Sequence, residues 1–283
     1  MLGGVAEKVL GNIADIPYAD DGDYIGEDGL LYCGKCHTRK ERELEWFGMG
    51  TKKVPVMCKC RVEAEEAKKE RERKEEEMYN IRRAKISSMM DDTFKTATFD
   101  NFRTRKENEK QLKIAQNYCK EFRTMLKNNQ GLLFYGTVGT GKSYTAACIA
   151  NWLLDNSFSV VMTSFVRILQ EMQGFNREKE EAFANRLNSA SLLIIDDLGA
   201  ERSTDYALEK VYGIIDNRYR AKKPLILTTN LTLMQMQAAD DIRYERIYDR
   251  IFEMCYPVEF VGVSWRKRVA AQRFDETRML LEG

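Results

Sequence analysis

The chain has 283 residues, 43% of them hydrophobic and 31% charged, with a formal net charge of +1. That length accommodates one domain of about 150–200 residues and a smaller companion. A charge so near zero supplies no global basic field for nucleic acid, so any such contact must be local, and no apolar run approaches the ~20 residues of a membrane span.

The N-terminus, MLGGVAEKVLGNIADIPYADDGD, has no basic start followed by an apolar core, so no secretion signal is expected. The seven cysteines then belong in a reducing, cytoplasmic compartment, where thiols bind metal or pack. Four of them, Cys33, Cys36, Cys58 and Cys60, crowd into one short region. Cys33-Gly34-Lys35-Cys36-His37 matches the attachment signature of c-type haem, but that chemistry needs export and leaves Cys58-Lys59-Cys60 unexplained. A dithiol redox site uses one pair, not two. Two close thiol pairs suit tetrahedral Zn²⁺, which would also let a segment poor in core-forming side chains fold. His37 is the sole histidine; it reads as a neighbour of the metal, with replacement of one thiolate as the alternative. Cys119, Cys148 and Cys255 stand in apolar or helical contexts and read as buried small apolar residues.

Residues 61–77, RVEAEEAKKERERKEEE, are nearly all charged. Glu65–Lys69 and Glu70–Lys74 have the i,i+4 order that supports a helix, and apolar heptads are absent, so a solvated helical linker is expected rather than a coiled coil. From about Phe94 the pattern alternates. A helix is expected over 108–127, then strands at LLFYG (132–136), SVVMTS (159–164), SLLIIDD (191–197) and PLILTTN (224–230). Helices separate them at 142–154, up to about 189, and at 205–221. Two more helices, 243–253 and 264–280, flank a short strand at 257–261. Short continuous apolar strands between helices indicate an α/β fold with a parallel sheet covered on both faces.

GTVGTGKS fits the pattern G-x-x-x-x-G-K-[ST]. Gly136, Thr137, Val138, Gly139, Thr140, Gly141, Lys142, Ser143 and Tyr144 are the expected nucleotide-binding residues. Glycines let backbone N–H groups turn inward towards phosphates, and the following helix adds its positive end. Lys142 reaches the β- and γ-phosphates of ATP, and Ser143 ligates Mg²⁺. The apolar strand LLIIDD delivers Asp196 and Asp197 to the ligand-binding edge of such a sheet. Asp196 would hold Mg²⁺, and Asp197 would orient or deprotonate the attacking water. Asn230, closing the next strand, would fix that water; capping the following helix is its alternative role. Arg243, Arg246, Arg250, Arg266 and Arg268 include candidates for action on a γ-phosphate, though any one of them also suits a solvated surface.

These segments, GTVGTGKS, LLIIDDLGAE, LILTTNL, RIYDRI and VSWR, stand in the order and spacing of the AAA+ helicase loaders of the DnaC/DnaI type, with the IstB transposition ATPases as close relatives. The resemblance covers roughly 94–272. It implies that Arg250 is a trans-acting arginine finger, that Arg266 touches the nucleotide of its own subunit, and that Asn230 is a sensor of the γ-phosphate. Asp197 departs from relatives that carry Glu, so slow hydrolysis is expected. The resemblance further implies a DnaB-type replicative helicase and single-stranded DNA as partners, ATP-driven self-assembly, and helicase engagement by an N-terminal zinc module. Phe165 and Arg167 are candidates for stacking on single-stranded DNA and contacting its phosphates, against simple helix packing for Phe165 and solvent for Arg167. Arg220, Lys222 and Lys223 read as a solvated helix end. The expected division is 1–60 zinc module, 61–93 linker and 94–283 ATPase. An IstB-like transposition helper and a small-molecule P-loop kinase stay open as rivals.

Overall fold

A computed structural model describes residues 19–45, 50–199 and 204–282. Residues 1–18 of the expected zinc module, and Ala200 and Glu201 of the LGAE segment, lie outside the described residues. The chain divides into two compact units at Met78/Tyr79.

The first unit has two antiparallel pairs: β1 (Tyr24–Ile25) with β2 (Leu31–Tyr32), and β3 (Glu41–Glu45) with β4 (Thr51–Pro55). Lys40 is buried and ion-paired with Asp23 and, at 2.9 Å, with Asp20. Asp23 also accepts the Gly34 N–H at 3.0 Å, so this buried pair fastens the turn that carries Cys33 and Cys36. Helix α1 (Lys59–Ser87) starts between Cys58 and Cys60 and runs past the expected charged stretch to the second unit's first residues. It buries no side chain and is laced by pairs such as Lys69–Glu65 and Arg73–Glu70, as its composition requires.

In the second unit the expected helix over 108–127 is two helices, α2 (Glu109–Lys120) and α3 (Phe122–Lys127), broken at Glu121. The break turns Phe122 into the core, edge-on to Phe158 at 4.9 Å. The remaining elements follow the predicted alternation: β5 (Gly131–Gly136), α4 (Lys142–Asp155), β6 (Val160–Ser164), α5 (Phe165–Met172), α6 (Arg177–Ser189), β7 (Leu192–Leu198), α7 (Asp205–Arg220), β8 (Leu225–Thr229), α8 (Leu233–Gln237), α9 (Ile242–Met254), β9 (Cys255–Phe260) and α10 (Trp265–Glu282).

The five long strands form one parallel sheet in the order β6-β7-β8-β5-β9. Alternate residues of each strand feed two cores. Leu132, Phe134, Ile194 and Ile226 pack with α2 and α4, whereas Leu133, Leu193, Ile195 and Leu227 pack with α5, α6, α7 and α9. Both faces are covered, which is why the strands read as unbroken apolar runs. β5 is next to β9 on one side and β8 on the other, so the loop after β5 opens at the sheet's C-terminal edge beside the ends of β7, β8 and β9.

Candidate functional site

The loop between β5 and α4 is shaped by what lies behind it. Gly136 has φ +119°, and a Cβ there would fall 2.3 Å from the Phe260 carbonyl oxygen. At Gly139, φ +78°, a Cβ would meet Ser264 Oγ at 2.1 Å. Glycine is required at both positions by conformation and by space. The Thr137 N–H donates to the Phe260 carbonyl at 3.1 Å, the Trp265 N–H donates to the Gly139 carbonyl at 2.7 Å, and Thr140 closes the loop by donating to the Thr137 carbonyl. The loop thus rests on the end of β9 and the start of α10.

Lys142, the first residue of α4, is buried, and its Nζ donates to the Gly136 and Thr137 carbonyls and to Asn230 Oδ1, each at 2.8 Å. Burial lowers the pKa of this ammonium, and Arg266 adds to the effect, while Asp197 and Asp196 oppose it. A lysine anchored by three oxygens in a half-dry pocket is poised to exchange them for phosphate oxygens.

The acids are delivered by an irregularity in the sheet. Ile195 pairs with Leu227 and Leu198 with Thr229, so Asp196 and Asp197 together oppose the single residue Thr228. This is a β-bulge, and Asp197 takes the left-handed conformation with φ +57°. Asp196 lies beside the Ser143 hydroxyl and accepts the Thr228 hydroxyl at 2.6 Å. Burial raises its pKa; the two hydroxyls pull it back. A hydroxyl and a carboxylate held together offer the hard oxygen donors that Mg²⁺ takes, so these residues fit that ion. Asp197 lines the cleft with Asn230.

That cleft, ≈ 520 Å³, is bounded by the phosphate loop, Tyr144, Arg266 and the segment 101–108. At its rim two guanidiniums lie over the Trp265 ring, Arg103 at 4.9 Å and Arg105 at 4.7 Å. Phe102 packs against Tyr144. Sequence reasoning missed Thr228, Arg103, Arg105 and Trp265. Only the TTN and SWR segments hinted at two of them.

The predicted residues do not all converge. Lys142, Ser143, Asp196, Asp197, Asn230 and Arg266 meet at the sheet edge. Arg250 is not in the lining of this cleft; it pairs with Asp216 at 2.8 Å and sits over Tyr212 at 4.6 Å. Phe165 is a correction: it is fully buried in the core between α5 and the sheet, so its ring packs and presents no face to a base. Arg167 is half-exposed and tied to Asp91 at 2.9 Å and to the Met89 carbonyl at 3.0 Å. Lys223 is likewise less solvated than expected, for its Nζ donates to the Asn188 and Ser189 carbonyls.

In the first unit the four thiols of Cys33, Cys36, Cys58 and Cys60 lie within 4.8 Å of one another. Cys58 and Cys60 are 3.4 Å apart and Cys33 and Cys60 3.6 Å. Tetrahedral zinc with bonds of ~2.3 Å has sulfur–sulfur edges of about 3.8 Å, so the cluster has the size and chemistry for that ion. The Thr38 hydroxyl, followed by the Cys60 backbone, pulls the Cys36 thiol down to about 5. His37 stays outside the cluster, its Nδ1 3.2 Å from the Tyr24 hydroxyl.

The site can now be set beside known proteins. The family model described as "IstB-like ATP binding protein" matches residues 58–273. The replicative helicase loader DnaC of Escherichia coli K12 is 30% identical over 182 residues, covering 62% of this chain and 72% of that protein. The phage-like element PBSX protein XkdC of Bacillus subtilis is 30% identical over 205 residues, covering 65% and 72%. A crystal structure of DnaI shares the fold with TM-score 0.52 at 24% identity, covering 62% of this chain and 93% of that one. Among the described residues no helix is long and apolar enough to cross a membrane. The glycine-rich loop, Asp196, Asp197 and Asn230 thus stand together in a chain whose family model spans most of its length, and the chain belongs to the IstB-like ATP-binding proteins of the AAA+ helicase-loader family.

Proposed function

We propose that this protein is an ATP-driven loader of a hexameric DnaB-type replicative helicase onto single-stranded DNA in the cytoplasm. The observation that carries the reading is the convergence of Lys142, Ser143, Asp197 and Asn230 in one cleft, with Asp196 beside Ser143, in a chain similar to DnaC over 72% of that relative.

The residues divide the work as follows. The phosphate loop's N–H groups and Lys142 would bind the β- and γ-phosphates of ATP. Ser143 and Asp196 would hold Mg²⁺, which when bound supplies neutralisation of phosphate charge. Asp197 would orient the attacking water and accept its proton, with Asn230 fixing its position. Its reach is one methylene shorter than Glu, so turnover would be slow. Arg266 would meet the nucleotide within its own subunit. Arg250, away from this cleft, would act on the nucleotide of a neighbouring copy once it leaves Asp216, so ATP would promote self-assembly. Zn²⁺ on the four cysteines would fold the first unit as the helicase-gripping module, with residues 61–93 as linker and 94–283 as the ATPase.

Affinity capture of a replicative helicase with and without ATP tests the reading. Helicase retained only with ATP supports it, and helicase never retained removes the loading role. Mixing Arg250→Ala with Lys142→Ala subunits tests the trans arrangement: each supplies the part of a shared site that the other lacks, so hydrolysis should reappear in the mixture, and a mixture as inactive as either variant alone refutes it. A second reading, a transposition helper, is supported by the family match, which begins only at Cys58 and so omits Cys33 and Cys36. Retention of a transposase instead of a helicase would establish it.

A further inference from the structure

The hydroxyl of Thr228 is fully buried and stands where two strands fall out of register. It donates its only proton to Asp196 Oδ1 at 2.6 Å and accepts the Asp197 N–H at 2.9 Å. One hydroxyl therefore binds the side chain of the first acid and the backbone of the second. Asp197 is a non-glycine residue in the left-handed region, a conformation that persists only where surroundings over-determine it. The one described hydrogen bond to its N–H is the one Thr228 accepts. On Asp196, the Thr228 proton occupies Oδ1 and so fixes the rotation of the carboxylate that also meets Ser143.

We propose that Thr228 is a positioning residue for both acids: it sets the bulge that turns Asp197 into the cleft and orients Asp196 towards the ion shared with Ser143. The inference rests on the reading that Ser143 and Asp196 hold Mg²⁺. Thr228 is not among the residues that line the cleft. Its hydroxyl acts through the carboxylates, as groups that orient metal ligands do.

Thr228→Val keeps shape and removes the hydroxyl; Thr228→Ser keeps the hydroxyl. Full-length protein is titrated with a fluorescent ADP analogue over a range of Mg²⁺, and hydrogen exchange of residues 192–199 is followed with no ligand added. In Thr228→Val the Mg²⁺ needed for half-maximal tightening should rise roughly 10–100-fold, with binding in Mg²⁺-free buffer unchanged, and Thr228→Ser should restore most of the loss. The Asp197 amide should exchange faster in Thr228→Val before any ligand is added. If Thr228→Val is insoluble, Thr228→Cys, a similar size with a feeble donor, takes its place with the same expectations. Wild-type Mg²⁺ dependence in Thr228→Val, or Thr228→Ser as impaired as Thr228→Val, overturns the proposal. Asp196→Asn is the control: if it loses Mg²⁺ dependence while Thr228→Val keeps it, only Thr228's role falls, and if Asp196→Asn itself keeps it, the magnesium reading falls as well.

Discussion

The thiol-bearing unit and the sheet-bearing unit both hold reactive groups still, by opposite means. In the second, Leu133, Phe134, Leu192, Leu193, Ile194, Ile195 and Ile226 are all fully buried, and the phosphate loop hangs from that core. In the first, the buried apolar side chains among the described residues are Leu30, Leu31, Cys33 and Cys58, two of them candidate metal ligands. A sheet buried on both faces tolerates the loss of one contact. On the proposed reading, a small unit whose interior is a thiol cluster would depend on zinc to unite it.

The largest contrast is therefore expected from metal removal. A zinc chelator should abolish hydrogen-exchange protection in 24–60 and leave the strands of the sheet protected; equal loss in both units would erase the distinction. Next in size, Phe165→Ala should cost about 3–5 kcal/mol of stability, as for other buried aromatic residues. It should leave zinc content unchanged and the DNA affinity of the folded fraction unaltered, read by urea unfolding and fluorescence anisotropy. Arg218 is fully buried without a carboxylate partner in any described ion pair and donates to the Ala190 carbonyl at 2.9 Å, to Pro224 at 2.5 Å and to two further carbonyls. Arg218→Met, which takes this donor from the Ala190 and Ser191 carbonyls while Asn188 keeps Lys223, should cost about 1–3 kcal/mol, measured by urea denaturation. Smallest of all, Glu70→Gln on the solvated helix α1 should leave the melting midpoint where it is, because exposed pairs such as Glu70–Arg73 are screened by water.

The sequence made legible those features whose causes are local. Strand order along the chain follows from apolar runs, the phosphate loop from glycine spacing, and the four cysteines from their two pairs. What escaped were features made by residues far apart. Thr228 lies 31 and 32 positions from the acids it joins, and nothing near it marks the bulge. Arg218 looks like any helix-end arginine until the ends of α6 and the starts of β7 and β8 close around it. Phe165 shows the reverse error. Beside Arg167 it is a candidate for stacking on DNA, but the ring occupies the inward side of a strongly two-sided helix. The break at Glu121 was hidden because apolar spacing continues through it and only the backbone turns.

The bond from the Trp265 N–H to the Gly139 carbonyl, with Ser264 pressed against Gly139, yokes the phosphate loop to the base of α10. An 18-residue helix is about 27 Å long, so a pivot of about 10° at that yoke swings its tip by roughly 5 Å. The swinging end bears Met279, Leu280 and Leu281, each more than three-quarters exposed. Any pivot at that yoke would therefore carry these apolar side chains several times farther than the loop itself moved.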